Sequence, residues 1–300
     1  MLETLTTEKR NTSTTELDTF SVEEIIRKMN QEDEKVAEII KKEIESITKL
    51  VEAVILSLKK GGRLFYIGAG TSGRLGVLDA AECIPTFNTS PEMVQGVIAG
   101  GMKAMTVAVE GAEDSLELCE ADLRERGLNK NDFILGIAAS GRTPYVIGGL
   151  KYANKLGATT GALSCNKAAA ISNYADFPIE VDVGPEILTG STRLKSGTAQ
   201  KFILNMISTT AMIRLGKVYQ NLMVDVQPTN EKLVERSKRI IMDATGCTYE
   251  EATFYFNDSN SQPKLAIVRL LTGINKEKAQ VLLTENAGFV RRAVEASKKQ

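Results

Sequence analysis

Between residues 63 and 215 the chain alternates short apolar runs with segments of helical length, and this alternation constrains its fold most. The apolar runs, several of them rich in β-branched residues, are Arg63–Ile67, Gln95–Ile98, Asp132–Ile137, Thr159–Leu163 and Phe177–Val181. Segments such as 114–126 and 143–156 separate most of them. Strands that alternate with helices form parallel sheets covered on both faces. The sequence therefore predicts an α/β fold with a doubly wound, five-stranded parallel sheet, closed by a helix over about 196–215.

The two ends of the chain lack this alternation. Residues 1–20 are rich in threonine, serine and charge, which predicts an irregular arm. A capping box begins at Ser21 and predicts a short helix, and apolar residues at helical spacing predict a long helix over about 31–60. After Pro228 we find three or more helical stretches and no convincing strand. The predicted domains are N-terminal arm and helices over 1–53, the α/β domain over 54–225, and a small all-helical domain over 226–300.

Composition excludes several kinds of site. The 300 residues include no histidine, so Ser-His-Asp units, Cys-His units and histidine-ligated metals are excluded. Any proton transfer must use Glu, Asp, Lys, Tyr, Cys or water. Tryptophan is also absent, aromatic residues make up 5%, and the formal net charge is −1. These values argue against a nucleic-acid partner and against an anionic membrane.

Cysteine usage and hydropathy bear on location. The four cysteines, Cys83, Cys119, Cys165 and Cys247, are scattered without a C-x-x-C pair, which predicts free thiols in a reducing compartment. The first twenty residues lack the apolar core of a signal peptide. No apolar run approaches the roughly 20 residues that a membrane helix needs. We therefore expect a cytoplasmic protein without a membrane partner.

A glycine-rich loop follows the first predicted strand. The loop Gly68–Gly73 satisfies G-x-G-x-x-G, the dinucleotide-binding pattern, but the next strand runs into Ala99–Gly101 without the carboxylate that would hold a ribose. A Walker loop needs lysine after the last glycine, where Arg74 stands. Thr71 and Ser72 lie where a helix begins, and hydroxyls beside open backbone N–H groups suit a phosphomonoester. A helix start capped for structural reasons alone would look the same.

Two further loops strengthen the phosphate interpretation. Ser140-Gly141-Arg142, after the third strand, repeats Ser72-Gly73-Arg74, and a Ser/Thr-rich turn over 184–198 precedes the closing helix. Carboxyl ends of strands at a topological switch point are where α/β sheets bind ligands. We therefore expect a phosphorylated small molecule at this edge. The predicted ligands of its phosphate and sugar are Thr71, Ser72, Gly73, Ser140, Thr143, Ser191 and Lys195.

Four segments of the chain carry a resemblance to a known family. They are Gly68–Phe87, Ala108–Ser115, Ala139–Pro144 and Gly184–Lys201. Their loops resemble the sugar isomerase (SIS) domain of phosphosugar enzymes and sensors. Within that group nearly the whole chain is similar to the N-acetylmuramic acid 6-phosphate etherase family. The related glucokinase regulatory protein shares the fourth segment, so a phosphosugar-sensing regulator without turnover is the alternative.

The resemblance implies an SIS fold and a carbon–oxygen lyase. Such an enzyme removes D-lactate from the C3 ether of N-acetylmuramic acid 6-phosphate and leaves N-acetylglucosamine 6-phosphate, in recycling of cell-wall amino sugars. The resemblance also implies a homodimer with its site near the subunit interface. It implies two glutamates that move protons without a cofactor or metal, and these fall on Glu82 and Glu113. SIS aldose–ketose isomerases use histidine and glutamate for ring opening, whereas this chain has Leu194-Lys195-Ser196-Gly197 there, which argues against isomerase chemistry.

The two glutamates suit different proton transfers. A base removes the C2 proton of the opened sugar, lactate leaves C3 with help from an acid, and water then adds. Glu82 lies in an apolar helical stretch, which favours the protonated acid. Glu113 is expected to open a helix, whose dipole favours the ionised base. Without catalysis, a solvent-facing carboxylate and an ordinary acidic first turn would explain the same residues.

Overall fold

The structure, a computed structural model, describes residues 5–299 and contains the predicted parallel sheet. Its strands are β1 (Leu64–Gly68), β2 (Val94–Ile98), β3 (Phe133–Ala138), β4 (Thr159–Ser164) and β5 (Phe177–Glu180). The spatial order is β2-β1-β3-β4-β5, and every neighbouring pair is parallel. Each strand overlaps one of the predicted apolar runs. The prediction of a doubly wound, five-stranded α/β sheet is therefore confirmed.

The chain divides into two compact units. The first comprises the residues up to Ala81 and Pro91–Ser208, and the second comprises Glu82–Ser90 and the residues from Thr209 on. Helices that lie wholly or mostly in the first unit are α1 (Val22–Lys41), α2 (Ile44–Lys59), α3 (Gly70–Phe87), α4 (Leu118–Glu125), α5 (Pro144–Leu156) and α6 (Lys195–Arg214). Short 3-10 helices are Thr6–Glu8, Thr12–Thr14, Leu17–Thr19, Met102–Met105 and Ala170–Tyr174.

The core of the first unit lies between β1 and β3 and the helices α4 and α5. Both strands are buried along their whole length, which is the pattern of strands covered on two faces. Gly136 on β3 allows α5 to approach closely, since a Cβ there would lie 2.6 Å from Val146 Cγ1. The close packing fixes the start of α5 against the end of β3.

Residues before the sheet form two long helices rather than the predicted short helix and long one. The capping box of Ser21 with Glu24 is present and begins α1 as predicted, but the predicted helix over 31–60 is wrong because the chain breaks between α1 and α2. Glu43, at the break, pairs with Lys167 at 2.6 Å. The two helices on either side of the break pack differently: α1 buries Glu32, whereas α2 packs Leu50 against β4.

The N-terminal arm docks at the carboxyl edge of the sheet. Thr6 Oγ1 donates to Asp182 Oδ1 at 2.6 Å. Asn166 Nδ2 donates to Thr7 Oγ1 at 2.9 Å, and the Thr7 backbone N–H donates back to Asn166 Oδ1. Thr14 Oγ1 donates to a loop carbonyl beyond β5. The predicted irregular arm therefore becomes an ordered strap from Leu5 onward, while residues 1–4 lie outside the described part.

The second unit is helical, as predicted for the end of the chain. Its helices are α7 (Glu231–Thr245), α8 (Tyr249–Asp258), α9 (Pro263–Thr272), α10 (Lys276–Glu285) and α11 (Val290–Ser297). They bury a core of their own around Phe256 and Ile267. The domain boundaries at 53/54 and 225/226 stay predictions. Within residues 5–299, no helix has the length and apolar character required to cross a membrane.

All four cysteines are free thiols, as predicted. Cys83, Cys119 and Cys165 are buried, and Cys247 is half-buried. Burial raises the pKa of the Cys165 thiol to about 12 and raises the pKa of Cys119 as well. A thiol that stays protonated is a poor nucleophile, so neither of these two cysteines suits covalent catalysis.

Candidate active site

The topological switch point of the sheet lies between β1 and β3. From β1 the chain passes to β2 on one side, and it then returns to β3 on the other. Gly68 at the end of β1 pairs with Ile137 near the end of β3, so the loops that follow the two strands are neighbours. Helices α3 and α5 begin directly after these strands. The start of α3 therefore brings helix N–H groups and a positive dipole end to this edge, whereas α5 begins with Pro144, which has no N–H, and its Tyr145 N–H already donates to the Glu113 carbonyl.

The first of these loops packs tightly on the strand that precedes it. A Cβ on Gly73 would lie 2.7 Å from the Gly68 carbonyl oxygen, so only glycine lets the first turn of α3 approach β1. Thr71 is half-buried and Ser72 is buried in this turn. Ser72 Oγ lies 3.0 Å from Gln200 Oε1 on α6. The Gly73 backbone N–H donates to the Ala69 carbonyl at 3.1 Å and is not open to a ligand, and the roles of Thr71 and Ser72 as ligands stay predictions.

The second loop has the same chemistry at the start of α5. Ser140 is half-buried, and its Oγ accepts the backbone N–H of Arg142 at 3.3 Å. Gly141 has φ +71°, and a Cβ there would meet Ala169 Cβ at 2.4 Å. Thr143 is the N-cap residue of α5, yet its side chain makes no capping hydrogen bond. Its hydroxyl is therefore not committed to the helix.

Glu113 lies beside both helix starts. Together with Gly70 and Arg74 it lines a cavity of about 210 Å³ at the start of α3, and its carbonyl oxygen accepts the Tyr145 backbone N–H of α5 at 3.0 Å. The expectation that Glu113 opens a helix is wrong, because α4 begins only at Leu118. The nearest positive helix end to its backbone is that of α5. The side chain is exposed and free to face a ligand.

In the third predicted loop, residues 184–198, the Glu186 carboxylate accepts hydrogen bonds from the start of α6. Glu186, fully buried, accepts the backbone N–H groups of Lys195 and Ser196 at 3.0 and 2.9 Å and the Ser196 hydroxyl at 2.8 Å. The start of α6 therefore already holds an anion of the protein. Ser191 is half-buried in the turn before it and stays a predicted ligand.

Lys195 is buried in an ion pair. Only 3% of its side chain is exposed, and its Nζ lies 2.6 Å from Glu32 Oε2 of α1 and donates to the Pro185 carbonyl at 2.8 Å. Burial raises the pKa of Glu32, but the hydrogen bonds and charges of Lys195 and Lys35 outweigh it and lower the pKa to about 2. The predicted role of Lys195 as a substrate ligand would require this pair to open.

Similarity to characterised proteins extends over nearly the whole chain. The chain is 64% identical over 290 residues to N-acetylmuramic acid 6-phosphate etherase 2 of Enterococcus faecalis, which covers 97% of this chain and 98% of that one. It is 62% identical to the protein of the same name from Lactiplantibacillus plantarum, covering 98% and 99%. It is 60% identical to N-acetylmuramic acid 6-phosphate etherase of Bacillus cereus, covering 98% and 100%.

The chain belongs to the N-acetylmuramic acid 6-phosphate etherase family. Residues 46–154 also match the family model of the glucokinase regulatory protein N-terminal SIS domain. Among solved structures, a ligand-bound protein of Escherichia coli has a TM-score of 0.52 and 17% identity, covering 69% of this chain and 96% of that one. These two likenesses agree with the sheet order and show the SIS fold for the first unit.

Glu82, the other predicted catalytic residue of this etherase-family chain, lies farther along α3. It belongs to the second compact unit, whereas Ser72 belongs to the first. Its side chain is exposed, although the neighbouring Cys83 is buried. Within residues 5–299, the Glu82 side chain therefore does not have the apolar surroundings that the sequence suggested.

Two polar residues near the predicted ligands escaped the sequence analysis. Glu186 and Gln200 both lie in the segment Gly184–Lys201 that resembles the etherase family, and both are buried. The family resemblance pointed to the segment as a whole. Nothing in the sequence showed that Glu186 folds back on the start of α6, or that Gln200 reaches Ser72.

Proposed function

We propose that the protein cleaves the D-lactyl ether of N-acetylmuramic acid 6-phosphate, giving N-acetylglucosamine 6-phosphate and D-lactate. Membership of the etherase family, with 60 to 64% identity over nearly the whole chain, carries this proposal. The hydroxyl side chains in the two loops at the switch point support it, because the substrate needs a phosphate site and carboxylates rather than a nucleotide site. The free cysteines support action in the reducing cytoplasm, within cell-wall amino-sugar recycling.

In this proposal the two loops after β1 and β3 hold the phosphate. Ser72, Ser140 and Thr143 donate their hydroxyl hydrogens, and the first turn of α3 adds the N–H group of Thr71. Gly73, whose own N–H donates to the Ala69 carbonyl at 3.1 Å, contributes close packing instead. The support is the pairing of β1 with β3, which brings the loops together, and the uncommitted hydroxyl of the α5 N-cap residue. Helix starts of this kind bind phosphate without a counter-cation.

Glu113 acts as the base in this scheme. Opening of the sugar ring exposes the C1 aldehyde and acidifies the C2 proton, which the Glu113 carboxylate removes. The electron pair left at C2 expels the lactate oxygen from C3, and water later adds across the resulting double bond. The support is that Glu113 borders the cavity at the start of α3 and that its backbone is fixed to α5.

Glu82 gives its proton to the departing lactate oxygen and then activates the incoming water. The family resemblance implies a homodimer with its site near the subunit interface. We therefore propose that Glu82 serves a substrate bound by a second copy of the chain. The cavity of about 210 Å³ is smaller than most ligand pockets, which agrees with a site completed by a partner.

An exposed apolar patch supports the homodimer. Leu78 on α3 is 49% exposed, and Phe202 and Met206 on α6 are each 40% exposed. Apolar side chains that recur on adjacent helices and face solvent commonly mark a subunit interface. Phe202→Glu with Met206→Glu should therefore convert the dimer to a monomer in light-scattering chromatography. A dimer of unchanged stability would place the interface elsewhere.

Lactate release tests the function. The protein is incubated with N-acetylmuramic acid 6-phosphate, and D-lactate is measured with a lactate dehydrogenase assay. Wild type should release one lactate for each N-acetylglucosamine 6-phosphate formed. Tight phosphosugar binding without lactate would contradict the lyase and favour the regulatory alternative.

Two variants test the proton-transfer roles. Glu82→Gln should lose lactate release and still exchange the C2 proton with solvent deuterium, whereas Glu113→Gln should lose both. Neither glutamine variant should be active alone, yet a mixture re-associated from monomers should regain about a quarter of wild-type activity, because half of the dimers are mixed and each has one complete site. No recovery in the mixture would mean that both glutamates act within one chain.

A further inference from the structure

Gln200 is a buried amide with one unused end. The residue lies on α6 and is 1% exposed. Its Oε1 is 3.0 Å from the Ser72 hydroxyl oxygen, but its Nε2 is buried and has no hydrogen-bond partner among residues 5–299. A buried N–H group without an acceptor is rare in folded proteins, whereas a carbonyl oxygen with spare lone pairs is tolerated more often. The unused nitrogen therefore calls for an explanation.

The Ser72 hydroxyl has a single hydrogen, and the direction of that hydrogen explains the unpaired nitrogen of Gln200. If Ser72 donates that hydrogen to Gln200 Oε1, no hydrogen remains for a ligand at the start of α3. Rotating the Gln200 amide by half a turn exchanges its oxygen and nitrogen without changing its shape. Nε2 then donates to Ser72 Oγ, and the hydroxyl hydrogen is free. The same rotation leaves the carbonyl oxygen, rather than the N–H group, without a partner.

We propose that Gln200 is a positioning residue that donates its amide N–H to Ser72 Oγ and so directs the Ser72 hydroxyl hydrogen toward the substrate phosphate. The inference rests on the proposed function, because it takes the start of α3 as the phosphate site. Gln200 acts through Ser72 and does not touch the ligand itself, since its nitrogen is shielded from solvent. It thereby sets affinity for the phosphorylated group.

A double-mutant cycle tests this coupling. Ser72→Ala removes a hydrogen bond to a charged group and should raise KM for N-acetylmuramic acid 6-phosphate about 10- to 100-fold. Gln200→Met, of similar volume, should raise KM about fivefold to tenfold with kcat changed less than about twofold. In the Ser72→Ala background, Gln200→Met should change KM no further. Effects that multiply in the double variant would mean that Gln200 does not act through Ser72.

Gln200→Glu gives an independent test, because glutamate has nearly the same shape as glutamine. A carboxylate can only accept, so it captures the Ser72 hydrogen, and binding of N-acetylglucosamine 6-phosphate at pH 7.5 should weaken about 100-fold. Its effect should exceed that of Gln200→Met. Equal affinity in wild type and both Gln200 variants would overturn the proposal. Gln95→Met on β2, where the amide bonds only the Glu92 carbonyl among described residues, should leave KM unchanged.

Binding and turnover separate the two proposals. Calorimetry with N-acetylglucosamine 6-phosphate and with unphosphorylated N-acetylglucosamine measures the phosphate contribution directly. If wild type releases lactate and KM is the same in the Gln200 variants, the positioning role is refuted and the etherase proposal stands. If wild type releases no lactate but binds the phosphosugar through its phosphate, and if Gln200→Met weakens that binding, the etherase proposal is refuted and the positioning role stands. Circular dichroism melting of each variant confirms that the affinity is measured on folded protein.

Discussion

Replacing Lys195 by methionine separates a binding role from a structural one. The sequence predicts Lys195 as a substrate ligand, whereas the structure buries its ammonium against Glu32 at 2.6 Å. Lys35 pairs with the same carboxylate at 2.6 Å, but 56% of its side chain is exposed. The two lysines therefore form a matched comparison in which the partner and the distance are constant and burial differs.

The expected magnitudes follow from that difference in burial. Lys195→Met removes the buried partner of Glu32 and leaves the carboxylate with the exposed Lys35 alone, so it should lower the free energy of unfolding by about 3–5 kcal/mol. Lys35→Met breaks an exposed pair and should cost about 0–1 kcal/mol. Glu32→Met in the Lys195→Met background removes the buried carboxylate, and it should recover most of the free energy of unfolding that Lys195→Met loses.

Urea unfolding followed by far-ultraviolet circular dichroism measures these differences. KM for N-acetylmuramic acid 6-phosphate is then determined for the Glu32→Met, Lys195→Met double variant. A value within about threefold of wild type means that Lys195 acts structurally, and a rise above about tenfold means that it binds substrate. Equal destabilisation by Lys195→Met and Lys35→Met would refute the reasoning, because burial would then have no effect on the strength of the pair.

Three other perturbations follow from the same structure. Gly141→Ala combines a left-handed φ with a 2.4 Å approach to Ala169, and it should lower unfolding free energy by about 2–5 kcal/mol and weaken phosphosugar binding, as urea titration and calorimetry can show. Asn166→Ala leaves the Thr7 backbone N–H without its acceptor and the Thr7 hydroxyl oxygen without its donor, so trypsin should cut the N-terminal arm faster while the sheet stays folded. The pKa of Glu32 is lowered from 4.5 to about 2, so its stabilisation is complete above pH 4.5 and disappears as the pH falls toward 2; the stability difference between wild type and Lys195→Met should shrink over that window.

Sequence reasoning recovered the sheet because its signal is local. Each strand is a short apolar run followed by a turn or a helix start, and burial on both faces requires no partner to be known in advance. The helix over 31–60 failed for the opposite reason. No glycine or proline stands at the break beside Glu43, and the change of direction depends on how α2 meets the sheet, including the ion pair with Lys167. Such a break is a tertiary effect that helical periodicity cannot show.

Prediction of the site failed where a side chain has a distant partner. Ser72 and Ser140 could be recognised from their loops because helix starts carry local signatures. The burial of Lys195 depends on Glu32, 163 positions earlier in the chain, and the contact of Ser72 with Gln200 spans 128 positions. The exposure of Glu82 likewise depends on what packs around α3. Local patterns predict candidate ligands, but they do not show which of those groups already have partners within the fold.

The distinction between used and unused carboxylates narrows the candidates for proton transfer. Among the described residues, Asp79 is buried and accepts three hydrogen bonds, Glu186 accepts three at the start of α6, and Glu32 is held by two lysines. A carboxylate held in this way is committed to partners within the fold and is not available to a substrate. Glu113 and Glu82 differ from these three in being exposed. In a chain without histidine, these two exposed carboxylates are therefore the groups that we propose for the proton transfers in lactate elimination.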